Sequence, residues 1–178
     1  QPFGTEIYSS DVSINALVKG IEISKVIGAN LDYLVAMDCE QIPFINGFFD
    51  MVIEYAMLHH LPNPVKALCE IKRILKPSGV LLCLREGIVN QFLKGPYSKF
   101  CGPERRAKKL GIIEATYSLS EWKEMFKEAG FSRYKVILNR EPNYQQGLLR
   151  RIYFSIIQYL PEKFVKYLPS SINIIAEV

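Results

Sequence analysis

Six side chains stand where chemistry could be done: Asp11, Asp38, Glu54, His59, His60 and Glu86. The four carboxylates each fall at or near the end of a short apolar run. Ligands of doubly wound sheets collect at the carboxyl ends of parallel strands, so acceptors at such ends are candidates for holding one. Asp11 has a second reading, as a cap for the helix that follows it. The adjacent pair His59-His60 invites a general-base or metal reading, because imidazole titrates near neutral pH. Four cysteines, Cys39, Cys69, Cys83 and Cys101, show neither a Cys-x-x-Cys pair nor a metal-ligand spacing. They read as reduced structural thiols, which points to the cytoplasm.

The elements that must position these groups are punctuated clearly between Asp38 and Glu86. FDMVIEYA is an apolar run opened by a Gly-containing loop and suits a strand buried on both faces. Asn63-Pro64 starts a helix whose Val65, Leu68, Ile71, Ile74 and Leu75 fall on one side. Lys76-Pro77-Ser78-Gly79 stops it with a basic turn, a Pro and a Gly that tolerates positive φ. VLLCL then forms a second strand that ends at Arg85-Glu86-Gly87. Strand, helix, strand in about 35 residues is a crossover unit of a parallel sheet.

Upstream, Thr5 to Ser13 reads as a strand ending in Asp11, followed by a helix from Asn15 to Gly28 with Ser13 as its N-cap. Ala16, Leu17, Ile21, Ile23 and Val26 are available for the buried side of that helix. Leu31 to Met37 is the next strand, ending at Asp38. Downstream, residues 88–118 are irregular and carry the charged cluster Glu104-Arg105-Arg106-Ala107-Lys108-Lys109. A helix capped by Ser120 runs to Ala129-Gly130-Phe131, where a glycine reversal leads into a strand from Tyr134 to Leu138. Gln145 to Leu160 and Glu162 to Leu168 read as two helices, and Ser171 to Val178 as a final strand.

The 178 residues suffice for one domain burying about 70% of its unfolded surface. No apolar run reaches the roughly 20 residues of a membrane span. The net charge of +4 is unevenly spread: residues 1–60 hold two Lys/Arg against eight Asp/Glu, and residues 61–178 hold twenty against ten. The basic part mildly favours an anionic substrate or surface, although a solvated basic face explains it as well. Nothing in this pattern calls for a nucleic acid.

The stretch from Asp38 to Glu86 resembles the core of class I S-adenosylmethionine-dependent methyltransferases, in their small-molecule branch. The residues that carry the likeness are Asp38, Pro43-Phe44, Phe49-Asp50, Leu58-His59-His60 and Arg73-Ile74-Leu75-Lys76-Pro77-Ser78-Gly79. The resemblance implies an α/β fold: a doubly wound, Rossmann-like sheet, mostly parallel, with an antiparallel C-terminal strand and the order 3-2-1-4-5-7-6. It implies that S-adenosylmethionine is held by Asp11 and Val12 at its ribose, and by Asp38 and the Cys39 backbone at its adenine. Backbone groups at Glu54 and Tyr55 would meet its methionine part. It makes His59, His60 and Glu86 candidates for the catalytic or acceptor side. Metal-assisted relatives place two Glu and a His where this chain has Ala56, His59 and His60, so no metal is expected. Residues 88–118 become a variable lid and residues 143–169 a helical insertion, both within one partial domain spanning 1–178. The acceptor is a small molecule, anionic or hydrophobic.

The glycine-rich turn that such enzymes place after their first strand is not found in Gln1 to Gly4. The expectation is therefore a sheet that lacks the first strand and helix, with activity belonging to a longer protein and the 178 residues alone inactive. An ordered structure should then close the gap by pairing the Asp11 strand with the FDMVI strand, or with a strand from another chain. Two other readings stand beside this one: a methyltransferase-like binding domain without activity, and a nicotinamide-dependent Rossmann enzyme.

Overall fold

A computed structural model describes residues 4–29, 31–100, 107, 110–139, 148–161, 164, 168 and 170–178. The chain forms two compact units, Gln1–Phe44 and Ile45–Val178.

The first unit holds strand β1 (Tyr8–Asp11), helix α1 (Ile14–Ile27) and strand β2 (Tyr33–Ala36). The strands pair in parallel, Asp11 opposite Ala36. Tyr8 stacks on Tyr33 at 4.3 Å between ring centroids, and Phe44 meets Tyr8 edge-on. Ser13 caps α1 as expected, its Oγ accepting from the Ala16 N–H. The expected buried side of α1 needs correction. Val26 is 86% exposed and Ile23 60%, Ala16 is exposed too, and the inward stripe is Leu17, Gly20, Ile21 and Ser24.

The second unit is a four-stranded sheet of β3 (Phe49–Tyr55), β4 (Leu75–Ile88), β6 (Ser170–Glu177) and β5 (Arg133–Asn139), in the spatial order β3-β4-β6-β5. β3 and β4 are parallel, while β6 runs antiparallel to both its neighbours. Helices α2 (Pro64–Ile74), α3 (Lys94–Phe100), α4 (Leu119–Glu128) and α5 (Leu148–Ile157) complete it. α2 buries Ala67, Leu68, Ile71 and Ile74, the three- and four-residue spacing of one helix face. Trp122, Phe126 and Phe131 are buried with Leu81, Ile172 and Ile174 in the core.

Together the units show the 3-2 and 4-5-7-6 portions of the anticipated order, mostly parallel with an antiparallel final strand. Among the described residues β1 is paired with β2 and β3 with β4, and the expected direct pairing of β1 with β3 is not present. Nor is β3 buried on both faces: Met51, Ile53 and Tyr55 are exposed, as suits a strand at the edge of its sheet.

Three local expectations also change. β4 begins at Leu75, directly after α2, and the reversal at Lys76–Gly79 lies inside it. Positive φ falls on Ser78 (67°), whereas Gly79 is required for space: a Cβ there would lie 2.8 Å from the Lys76 carbonyl oxygen. Ser118, not Ser120, caps α4, in a reciprocal capping box with Glu121. The turn at Gly130 has φ 84°, as anticipated. The charged cluster of residues 104–109, apart from Ala107, and most of the proposed helix 162–168 lie outside the described residues.

Candidate active site

Two groups of functional side chains are present, one in each unit. In the first unit, Asp11 and Asp38 follow adjacent parallel strands at their carboxyl ends. Asp11 Oδ1 accepts from the Ser13 N–H at 2.8 Å, and Asp38 Oδ1 accepts from the Glu40 N–H at 2.8 Å. Each carboxylate is thus braced by its own loop through one oxygen and presents the other at an exposed strand end. Val12 is exposed between Asp11 and the Ser13 cap, and Cys39 is half-buried beside Asp38. Burial and the Asp38 charge push the Cys39 thiol up to about 11, so it stays protonated and is no nucleophile.

The second unit gathers Glu54, Cys83, Glu86, His59, His60 and Glu114. Glu54 and Cys83 are partners across the parallel β3–β4 ladder. Glu86 reaches the same side only because β4 is bulged. Cys83 pairs with Ile174 and Glu86 with Ile172, so three steps on β4 oppose two on β6. Arg85 takes the extra position at φ 61°, and its N–H donates to Asn173 Oδ1 at 2.9 Å. Without that bulge, strand alternation would point Glu86 to the face opposite Cys83.

Glu86 is wholly buried and accepts three hydrogen bonds: from the N–H groups of Met57 (3.0 Å) and Leu58 (2.9 Å), and from His59 Nδ1 (2.7 Å). Ala56, at φ 50°, turns the chain after β3 so that those two N–H groups face inward. Glu54 receives one longer bond, from the Met57 N–H at 3.2 Å, and its Oε1 is buried without a hydrogen-bond partner. Burial and the charge of Glu86 push Glu54 up to about 9, so it holds a proton at neutral pH. The three donors all face the other member of the pair, Glu86. Burial and the same carboxylates push Cys83 well above its usual value.

With Glu86 Oε2 accepting from His59 Nδ1, the His59 proton sits on Nδ1 and the Nε2 lone pair is left on the side of Glu114. Burial alone would pull His59 down. The hydrogen bond and charge of Glu86, with the charge of Glu114, outweigh it and hold His59 above the ordinary imidazole value. Glu114 lies 3.7 Å from His59 Nε2 and 3.2 Å from His60 Nδ1. An oriented imidazole backed by a buried carboxylate is suited to accept a proton from a bound acceptor.

Three comparisons bear on what the acceptor and the two Asp carboxylates serve. Residues 3–83 match the family described as methyltransferase domain. That match covers a little under half of the chain. The chain is 29% identical to the demethylmenaquinone methyltransferase of Staphylococcus haemolyticus, over 74% of this chain and 60% of that protein. The chain thus spans about 60% of the length of the curated relatives it matches. Its fold is shared with solved S-adenosylmethionine-dependent methyltransferase structures. The Aquifex aeolicus one superposes with a TM-score of 0.60 at 17% identity, covering 97% of this chain and 69% of that one. The YcgJ protein of Bacillus subtilis superposes at 0.66 and 17% identity, over 99% and 83%.

Of the residues named from sequence, His59 and Glu86 are bonded directly, and His60 joins them through Glu114. Glu54 turns its side chain into this cluster. The Tyr55 side chain is 62% exposed. Glu114 was not singled out from sequence: it lies in residues 110–116, outside any helix or strand, where no periodicity marks an inward position. Among the described residues no helix is long and apolar enough to cross a membrane.

Proposed function

We propose that the protein carrying this domain transfers a methyl group from S-adenosylmethionine to a small-molecule acceptor, with His59 taking the acceptor's proton. The observation that supports it best is the bond between His59 Nδ1 and the buried Glu86. When bound, S-adenosylmethionine supplies an electrophilic sulfonium methyl for in-line attack. The donor set fits its nucleoside half: two braced carboxylates on adjacent strand ends offer paired acceptors to ribose hydroxyls at Asp11 and to an exocyclic amine at Asp38. The Val12 and Cys39 backbones adjoin them.

An oxygen, nitrogen or carbon acceptor that gains a methyl group and ends neutral must lose a proton. His59 Nε2 receives it, and the resulting imidazolium lies between Glu86 and Glu114, which offset its charge. Glu54 stays neutral and spares the cluster a second buried negative charge. His60 and Glu114 border the acceptor side. The name of the staphylococcal relative supports an acceptor of the demethylmenaquinone kind. Work in the cytoplasm agrees with the reduced thiols of Cys69 and Cys83.

The test is transfer of isotopically labelled methyl from S-adenosylmethionine to a panel of hydroxylated aromatic acceptors by the full-length protein. His59→Ala should lower turnover by roughly 10²–10⁴ with little change in cofactor affinity. Full turnover in His59→Ala would remove the base from the proposal. No labelled product with any acceptor would favour a methyltransferase-like binding domain.

A further inference from the structure

The arrangement of His59, His60 and Glu114 has a property that proton transfer does not require. Their ligand atoms all lie within 4.8 Å of one another. Glu114 offers Oε1 at 3.7 Å from His59 Nε2 and Oε2 at 3.2 Å from His60 Nδ1. Around a tetrahedral cation with bonds of about 2.0–2.1 Å, ligand atoms stand about 3.3 Å apart. The widest of these separations must therefore shrink by up to about 1.5 Å for the cluster to close on one ion.

Its supports are those of a built site. His59 donates from Nδ1 to a fully buried carboxylate, which fixes the ring and leaves Nε2 as the ligating atom. Carboxylate–histidine–metal triads have this arrangement. The backbone pins the Glu114 segment, the Ala115 N–H donating to the His59 carbonyl at 2.9 Å, whereas the bond of His60 Nδ1 to the Ile113 carbonyl, at 3.0 Å, is one that a metal on Nδ1 would replace. The Val89 N–H holds the same segment through the Tyr117 carbonyl. The two imidazole rings lie 4.1 Å apart between centroids, a separation at which two protonated rings would repel. His60 is 43% exposed, which leaves room for water or another oxygen as a fourth ligand.

We propose that His59 Nε2, His60 Nδ1 and the Glu114 carboxylate form a binding site for a divalent transition metal such as Zn²⁺, Co²⁺ or Ni²⁺. Two imidazoles and one carboxylate favour these ions over Mg²⁺ and Ca²⁺, which prefer all-oxygen shells. The ion replaces a proton shared between His60 and its oxygen partners and uses the Nε2 lone pair of His59. Metal occupancy and proton uptake at His59 then exclude each other, a consequence that rests on the methyl-transfer reading, whereas binding itself does not.

The experiment is titration of the protein with Co²⁺ alone, followed by its visible d–d absorption. The expected result is saturable growth of the intense bands of four- or five-coordinate cobalt at one ion per chain, displaced by Zn²⁺. Glu114→Ala and His60→Ala should abolish the bands, and Glu86→Gln should weaken binding about tenfold or more. Should Glu86→Gln fail to fold, the other two variants, both on the partly exposed side, still decide the matter. Spectra that stay those of the hydrated ion, or bands unchanged in Glu114→Ala, would overturn the site. No methyl transfer is measured, so this outcome stands apart from that of the enzymatic reading.

Discussion

His59 Nδ1 lies 2.7 Å from Oε2 of Glu86, a carboxylate with no exposed surface. The two residues are 27 positions apart, at the ends of β3 and β4, and a bulge and a left-handed alanine bring them together. Glu86 spends its other acceptor capacity on two backbone N–H groups, so it can orient the imidazole but has little freedom to move. That contact decides which nitrogen of His59 is basic and how strongly it holds a proton.

The pH dependence of turnover should report that contact. His59 is held above the ordinary imidazole value, so it loses its proton, and becomes a base, only as pH rises through that raised value. Turnover should therefore climb on the alkaline side of about pH 6.5 before levelling. Glu86→Gln removes the charge and the acceptor, and should move this limb to lower pH while lowering the plateau. Glu114→Gln should move it the same way by less. A limb that stays in place in Glu86→Gln would show that His59 is not the titrating base.

Stability should depend on pH through Glu54. Its folded value, about 9, lies above the ordinary 4.5, so between these values the folded chain binds more protons than the unfolded chain. The contribution is complete below about pH 4.5 and is lost as pH rises toward 9, at up to about 1.4 kcal/mol per pH unit. Glu54→Gln should flatten this decline in denaturant-unfolding free energies measured between pH 5 and 9. An unchanged slope would mean that Glu54 is already ionised in the folded state.

The bulge can be tested from the opposite strand. Asn173 accepts from the N–H of Arg85, the residue that makes three positions of β4 fit against two of β6. Asn173→Ala leaves that part-buried N–H unpaired and should cost about 1–3 kcal/mol. Because the bulge aims Glu86, turnover should fall with it, and the pH limb of His59 should broaden or shift. Lost stability with unaltered turnover would separate the bulge from the site.

Much of this was legible in the sequence because local signals agreed. The Asn63-Pro64 start and the 68-71-74 spacing fix α2, and the apolar runs between turn residues fix β3, β4 and β6. What escaped depended on distant partners. A strand's second face is covered or bare according to its neighbours, so FDMVIEYA alone could not show that Ile53 and Tyr55 are exposed. Nothing local to Arg85 announces a bulge, since the extra residue is specified by Asn173, 88 positions later. Glu114 was hidden for the same reason: its place is set by backbone bonds to His59 and Val89, not by any pattern around it. In Lys76–Gly79 the turn residues were recognised, but positive φ went to Ser78 because Gly79 was needed where the Lys76 carbonyl leaves no room for a Cβ.

The most direct test of the central claim is calorimetric titration of the full-length protein with S-adenosylmethionine, beside its Asp11→Ala variant. Wild-type protein should bind the cofactor saturably. Removing the paired acceptors at Asp11 should weaken binding roughly ten- to a hundredfold, as loss of hydrogen bonds to a charged group does. Ser13 would still cap α1 through its own hydroxyl, so the fold should persist. No binding by the wild-type protein at millimolar cofactor, or equal affinity in the two proteins, would contradict the account.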